Sequence, residues 1–224
     1  MYKPLITDAS KKYGNNRWLA YSNKLKRVVY LFSDLEYEHW LQVETDPTII
    51  TFCEQPIKME IIENGRIRSS IIDMWIKYKE GGEAFIEIKY SNDLLKKSVE
   101  KQIYVQEVWC KVNQKKHSIK TEREIRLNPI KLSNLKLLIK QVNNSISANS
   151  QTIDFIKNHI TGEPKTIQQI GNETKIEFQT LFYILCNLIY EGSIKCNFEV
   201  KHLGKYSECG NKYAKVFFRK RYFN

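Results

Sequence analysis

No run of apolar residues in this sequence approaches the ~20 needed to cross a bilayer, and Met1-Tyr2-Lys3-Pro4 lacks the apolar stretch of a secretion signal. These two absences exclude a membrane-spanning reading and predict a cytoplasmic protein. Cysteine is scarce as well. The five present, at positions 53, 110, 186, 196 and 209, form no C-x-x-C pair and leave an odd count, which suits reduced thiols rather than a disulfide framework. Cys186, Cys196, His202 and Cys209 can be drawn together as a zinc site, but their spacings match no common finger and Cys186 falls on the apolar run of a helix.

Positive charge, by contrast, is in excess. The formal net charge is +11 with a pI near 9.3, while 42% apolar residues make the 224-residue chain globular, with enough length for one good core or two small ones. The excess is uneven: residues 95–140 carry twelve Lys and Arg against four Asp and Glu. Such a segment is suited to tracking phosphates, which makes nucleic acid the expected partner. Lysine-rich helices can also be merely solvated. A membrane-surface role fits less well, because the basic residues do not lie opposite a broad exposed aliphatic face.

The chain is organised around Ser70-Ile71-Ile72-Asp73-Met74-Trp75-Ile76 and Glu83-Ala84-Phe85-Ile86-Glu87-Ile88-Lys89. Both are β-branched and apolar, and Lys79-Glu80-Gly81-Gly82 between them carries the glycines of a hairpin turn. Antiparallel pairing sets Asp73 opposite Glu87 or Ile88, within reach of cross-strand contact. Alternation puts Glu87 and Lys89 on one face. The prediction is an acid pair beside an amine, costly unless something offsets the repulsion. A hard divalent cation would do so: Mg²⁺ takes one or two carboxylates and completes its shell with water and substrate phosphate. The chemistry suggested is phosphodiester hydrolysis, with Lys89 orienting the attacking water or helping to deprotonate it. A lone E-x-K tripeptide is also compatible with an ordinary exposed pair on an amphipathic strand.

Upstream, Ser33-Asp34-Leu35-Glu36 opens a predicted helix that Asp46-Pro47 stops. Ser33 and Glu36 have capping-box spacing. Glu36 therefore has two readings, a cap residue or a third carboxylate facing the hairpin.

These residues in order, Ser33-Asp34-Leu35-Glu36, Glu44-Thr45-Asp46-Pro47, Gln55-Pro56, Asp73 and Glu87-Ile88-Lys89, followed by Ser118-Ile119-Lys120-Thr121-Glu122-Arg123-Glu124-Ile125-Arg126 and Leu132-Ser133-Asn134-Leu135, resemble TnsA, the endonuclease subunit of heteromeric, Tn-seven-type transposases. The resemblance runs from about Tyr13 to the C-terminal strand. It implies a restriction-endonuclease-like fold, a mixed sheet flanked by helices, in the PD-(D/E)xK grouping. It further implies Asp73 and Glu87 as metal ligands, Lys89 as the water-activating residue, Glu36 as the helix acid completing the site, and the Ile88 carbonyl as a further ligand. Gln102 resembles a glutamine of related nucleases. Ile72 and Met74 depart from the Pro and Phe that usually flank the catalytic Asp, while Glu87 is closer to the general nuclease pattern than the Gln some relatives carry.

The polar run at 143–150 marks a boundary, giving a nuclease domain over 1–148 and a second domain over 149–224. Helices at 152–160, 166–170 and 176–191, then strands at 193–198 and 213–218, predict a winged helix whose third helix buries Phe178, Leu181, Phe182, Leu185, Leu188 and Ile189. Its outward residues Glu177, Gln179, Thr180 and Asn187 offer few arginines for base readout, so protein contact is at least as well supported as DNA contact. In the TnsA family the corresponding domain is linked to the regulatory ATPase subunit. The basic end, Arg219-Lys220-Arg221, could touch phosphate.

The expectation is a Mg²⁺-dependent DNA endonuclease, with Mn²⁺ able to substitute, cutting one strand at each transposon end while a DDE-type transposase cuts the other. Two alternatives are a stand-alone restriction or repair nuclease of the same fold and a non-catalytic DNA-binding adaptor.

Overall fold

The computed structural model describes residues 1–5, 16–144 and 149–210. The chain divides into two compact units, Met1–Glu44 with Thr48–Leu127, and Thr45–Pro47 with the chain from Asn128 onward.

In the first unit, β1 (Trp18–Ser22) and β2 (Arg27–Leu31) form an antiparallel ribbon ahead of α1 (Asp34–Thr45). Trp18 ties the ribbon to the helix: its ring stacks on Tyr37 at 4.1 Å and its Nε1 donates to Asp34 at 2.8 Å. There follow β3 (Ile49–Glu54), β4 (Lys58–Glu63), β5 (Arg66–Ile71), β6 (Met74–Tyr78), β7 (Glu83–Ile88), α2 (Lys97–Val112) and β8 (Lys116–Lys120). β4 and β5 pair as a second ribbon, turned by Asn64 and Gly65 at φ 50° and 71°, the left-handed pair that a type I′ turn requires.

The main sheet has the order β3-β6-β7-β8. Its first three strands are antiparallel, and β8 joins parallel to β7 after the α2 crossover, as a parallel neighbour must. β7 is covered on both faces, so Ala84 to Ile88 are all buried, which explains a strand that reads as a nearly continuous apolar run. Cys53, Met59, Ile72, Trp75, Phe85, Val105 and Cys110 form one core, and Tyr2 meets Trp75 and Phe85 edge-on at 5.0 and 5.7 Å.

The stretch expected as one strand over 70–76 is two. Ser70 and Ile71 end β5 in the ribbon, Ile72 and Asp73 form a corner, and Met74 begins β6 in the main sheet. The cause is partnership: β4 takes the first segment and β3 and β7 take the second.

After α3 (Glu122–Ile125), the second unit contains α4 (Pro129–Asn143), α5 (Ser150–His159), β9 (Lys165–Thr166), α6 (Ile167–Thr174), α7 (Phe178–Tyr190), β10 (Lys195–Cys196) and β11 (Glu208–Gly210), with the small sheet ordered β10-β11-β9. Side-chain caps start its helices: Asn128, Asn149 and Glu177 accept backbone N–H groups, and Thr166 forms a capping box with Gln169. α4 packs on α7, and the buried Asn134 amide donates to the carbonyls of Phe198 and Lys201 at 2.6 and 2.8 Å. The sequence-drawn boundary after residue 148 thus falls inside this unit. Phe178, expected in the core, is 43% exposed and stacks on Phe182, because it occupies the first turn of α7 on the rim of the apolar stripe. The expected strand at 213–218 and the basic Arg219-Lys220-Arg221 lie outside the described residues. Among the described residues, no helix is long and apolar enough to cross a membrane.

Candidate active site

The corner between β5 and β6 positions the first acid. Met74 faces Ile86 in the β6–β7 register, so Asp73, one residue earlier, stands opposite Glu87. Its carboxylate accepts the Ile88 N–H at 2.8 Å, and its carbonyl accepts the Gln55 N–H at 2.9 Å. Glu87 is fully buried at the end of β7. Lys89 follows on the same face, with Nζ 2.5 Å from Glu87 Oε1 and 3.8 Å from Asp73 Oδ2. The acid pair and the amine are together.

Glu87 is held from α2. Gln102 Nε2 donates to its Oε1 at 2.7 Å, and Gln106 Nε2 donates to its Oε2 at 2.8 Å. Gln106 is itself fully buried and donates also to Ser70 Oγ at 2.8 Å, while its Oε1 lies 3.2 Å from His117 Nε2 on β8. Burial lowers the His117 pKa, favouring a neutral ring whose N–H can supply that acceptor. Sequence reasoning singled out Gln102 but missed Gln106, Ser70 and His117. The signal was helical phase: four residues separate Gln102 from Gln106, so both face the same strand.

The hydrogen bonds of Glu36 are those of a cap residue. Ser33 Oγ donates to its Oε1 at 3.1 Å, the Phe32 N–H donates to its Oε2 at 3.0 Å, and its own N–H reaches back to Ser33 Oγ at 3.1 Å. These bonds cap α1. Yet Glu36 is only 9% exposed, and burial together with the charge of Asp73 pushes its pKa up to about 7. Beside it Gln55 Nε2 donates at 3.4 Å, while Gln55 Oε1 is buried with no hydrogen-bond partner among the described residues.

The electrostatics are unbalanced. Burial and then the Asp73 charge raise Glu87 to about 8, against the favourable pull of Lys89 and the glutamines. Burial pushes the Lys89 ammonium down, but Asp73 and Glu87 more than reverse this, so the lysine stays charged. Three carboxylates against one ammonium leave two negative charges in excess when all are ionised, and retained protons relieve that excess. Among the described residues no three His, Cys, Asp or Glu side chains are grouped as a ready-made ion cage. Mg²⁺ needs no such cage, since one or two carboxylates with water and phosphate suffice. The buried acids, their uncompensated charge and the orphaned Gln55 oxygen fit a hard divalent ion.

A mixed sheet ending in two carboxylates and an amine defines a candidate metal-dependent hydrolase. Residues 46–122, about a third of the chain, match the family model of the TnsA-like endonuclease N-terminal domain. The matched stretch contains Asp73, Glu87, Lys89, Gln102 and Gln106, whereas Glu36 precedes it. No curated protein matches the chain. A match to an endonuclease domain suggests DNA as substrate and points to a metal cofactor.

Proposed function

We propose that the chain is a Mg²⁺-dependent DNA endonuclease, the subunit of a heteromeric transposase that cuts one strand, at the 5′ ends, of each transposon end. The observation that carries this reading is the buried Glu87 carboxylate sharing the Lys89 ammonium with Asp73, inside the segment that matches the TnsA-like domain.

Asp73, Glu87 and Glu36 would hold the ion, with the Ile88 carbonyl as a further ligand. Bound Mg²⁺ supplies Lewis acidity toward the phosphate and a more acidic water. The chain's residues do the rest. Gln102 and Gln106 fix the Glu87 carboxylate in one orientation. The Ile88 N–H fixes Asp73. Lys89, kept charged by its two acids, donates to the attacking water and offsets charge building on the phosphoryl oxygens. The products of water attack at phosphorus with loss of one ester oxygen are a phosphate and a hydroxyl terminus.

The second unit is best read as a winged-helix module that contacts the regulatory ATPase subunit. Its order from α5 onward, helix, strand, helix, helix, strand, strand, with β11 between β10 and β9, supports that reading. The test is cleavage of a labelled duplex carrying a transposon end, with Mg²⁺ or Mn²⁺, with and without the DDE-type transposase. Single-strand nicking that is lost in Asp73→Ala is expected. Nicking that survives in Asp73→Ala would remove the site assignment.

A further inference from the structure

Two polar rows meet beside Glu87 and continue outward from it. On α2, Ser98, Gln102 and Gln106 recur every four residues and so share a face. On β5, Arg68 and Ser70 are two residues apart and share a face of the strand. The Gln106–Ser70 hydrogen bond, 2.8 Å, joins the rows at their buried end. Beyond it a groove of about 300 Å³ opens, lined by Arg68, Ser69, Ser98, Lys101, Gln102 and Val105. Arg68 and Lys101 also line a second hollow of about 320 Å³, where Glu63, Glu100 and Tyr104 join them.

We infer that the first groove seats a backbone phosphate of the DNA strand being cut, the one next to the phosphate under attack, with Arg68 and Lys101 as its contacts. The inference rests on the nuclease reading above. Its lining carries two cations, two hydroxyls and an amide but no acid, which is the chemistry of a phosphate site. Gln102 spans both places, bonded to Glu87 at 2.7 Å and lining the groove, so a strand entering the site at Asp73 and Glu87 runs directly into it. Arg68 is held by an ion pair with Glu63. An arriving phosphate takes the guanidinium fork from Glu63, which makes that glutamate a placeholder that lowers affinity when present.

The test is equilibrium binding of a fluorescent mixed-sequence duplex by anisotropy, in non-catalytic Ca²⁺, over a series of salt concentrations. Arg68→Ala and Lys101→Ala are each expected to reduce the slope of log affinity against log salt by ~0.9, the value for one lost phosphate contact, and the double variant by about twice that. Glu63→Gln is expected to bind severalfold more tightly. Lys79→Ala, at the opposite end of the β6–β7 hairpin, is expected to match the native chain. Circular dichroism and melting curves identify any variant that has lost its fold, and Glu63→Gln, a gain of affinity, cannot arise from unfolding. An unchanged slope in the folded double variant overturns the groove assignment, as does a native chain that binds no duplex at low salt. Cleavage of the duplex by the native chain is scored separately in Mg²⁺, so a groove that fails while cleavage persists leaves the nuclease reading standing.

Discussion

Strand β7 carries two acid–lysine pairs, and they behave oppositely. Near its start, Glu83 pairs with Lys115, the residue just before neighbouring β8, and accepts from Trp75 Nε1 at 2.6 Å, and these partners hold its pKa below the usual carboxylate range. Near its end, Glu87 pairs with Lys89 and accepts from two glutamines, yet its pKa is pushed up to about 8. The side chain of Glu83 is 27% exposed, whereas that of Glu87 is not exposed at all and faces Asp73. Salt-bridge geometry therefore says little about role. Burial and a second acid turn the Glu87 pair from a surface contact into a site with charge to be compensated.

The sharpest way to break this comparison is to remove charged groups at the Glu87 end. Lys89→Ala is expected to reduce cleavage by ~10²–10⁴-fold while leaving Mn²⁺ binding nearly intact, and preserved turnover would remove the role given to Lys89. Glu36→Gln is expected to abolish cleavage and to cost only the ~0.5–2 kcal/mol of a weakened cap. A variant that loses stability alone would make Glu36 a cap and nothing more.

Gln106→Leu comes next. With one donor to Glu87 gone, metal affinity or turnover is expected to fall ~10–100-fold, as for other residues that orient a ligand. An unchanged titration would reduce Gln106 to core filling. Smaller again is a pH effect. Because the pKa values of Glu36 and Glu87 are raised, to about 7 and about 8, both hold protons that an ion must displace. Divalent affinity is therefore expected to rise as pH increases from 6 to 8.5, and to flatten once both acids are ionised. The same shifts make the ion-free protein lose stability as pH rises from the ordinary carboxylate range through these values, since the folded state binds more protons than the unfolded one. A flat affinity profile would contradict the coupled acids. Least of all, Glu83→Gln is expected to leave cleavage unaltered and to lower the melting temperature slightly.

Much of this was legible in the residues. The glycines at 81 and 82 fixed the hairpin closely enough to put Asp73 against Glu87, and Asn64-Gly65 located the β4–β5 turn. The corner at Ile72–Asp73 was not legible, because no Gly or Pro interrupts the β-branched run and only the choice of partner strands divides it. Gln106 was hidden for a different reason. A buried glutamine in a helix has no composition signal, and its role depends on β5 and β8 arriving beside it. Glu36 showed the limit of motif spacing: Ser33-x-x-Glu36 announces the cap, whereas the burial and the Asp73 charge that raise its pKa have no counterpart in spacing.

The measurement that tests the central claim most directly is Mn²⁺ binding by calorimetry, with DNA present, to the native chain, to Glu83→Ala and to Asp73→Ala/Glu87→Ala. The account predicts equal binding by the first two and none by the third. Undiminished binding by Asp73→Ala/Glu87→Ala, or loss of binding in folded Glu83→Ala, would contradict it.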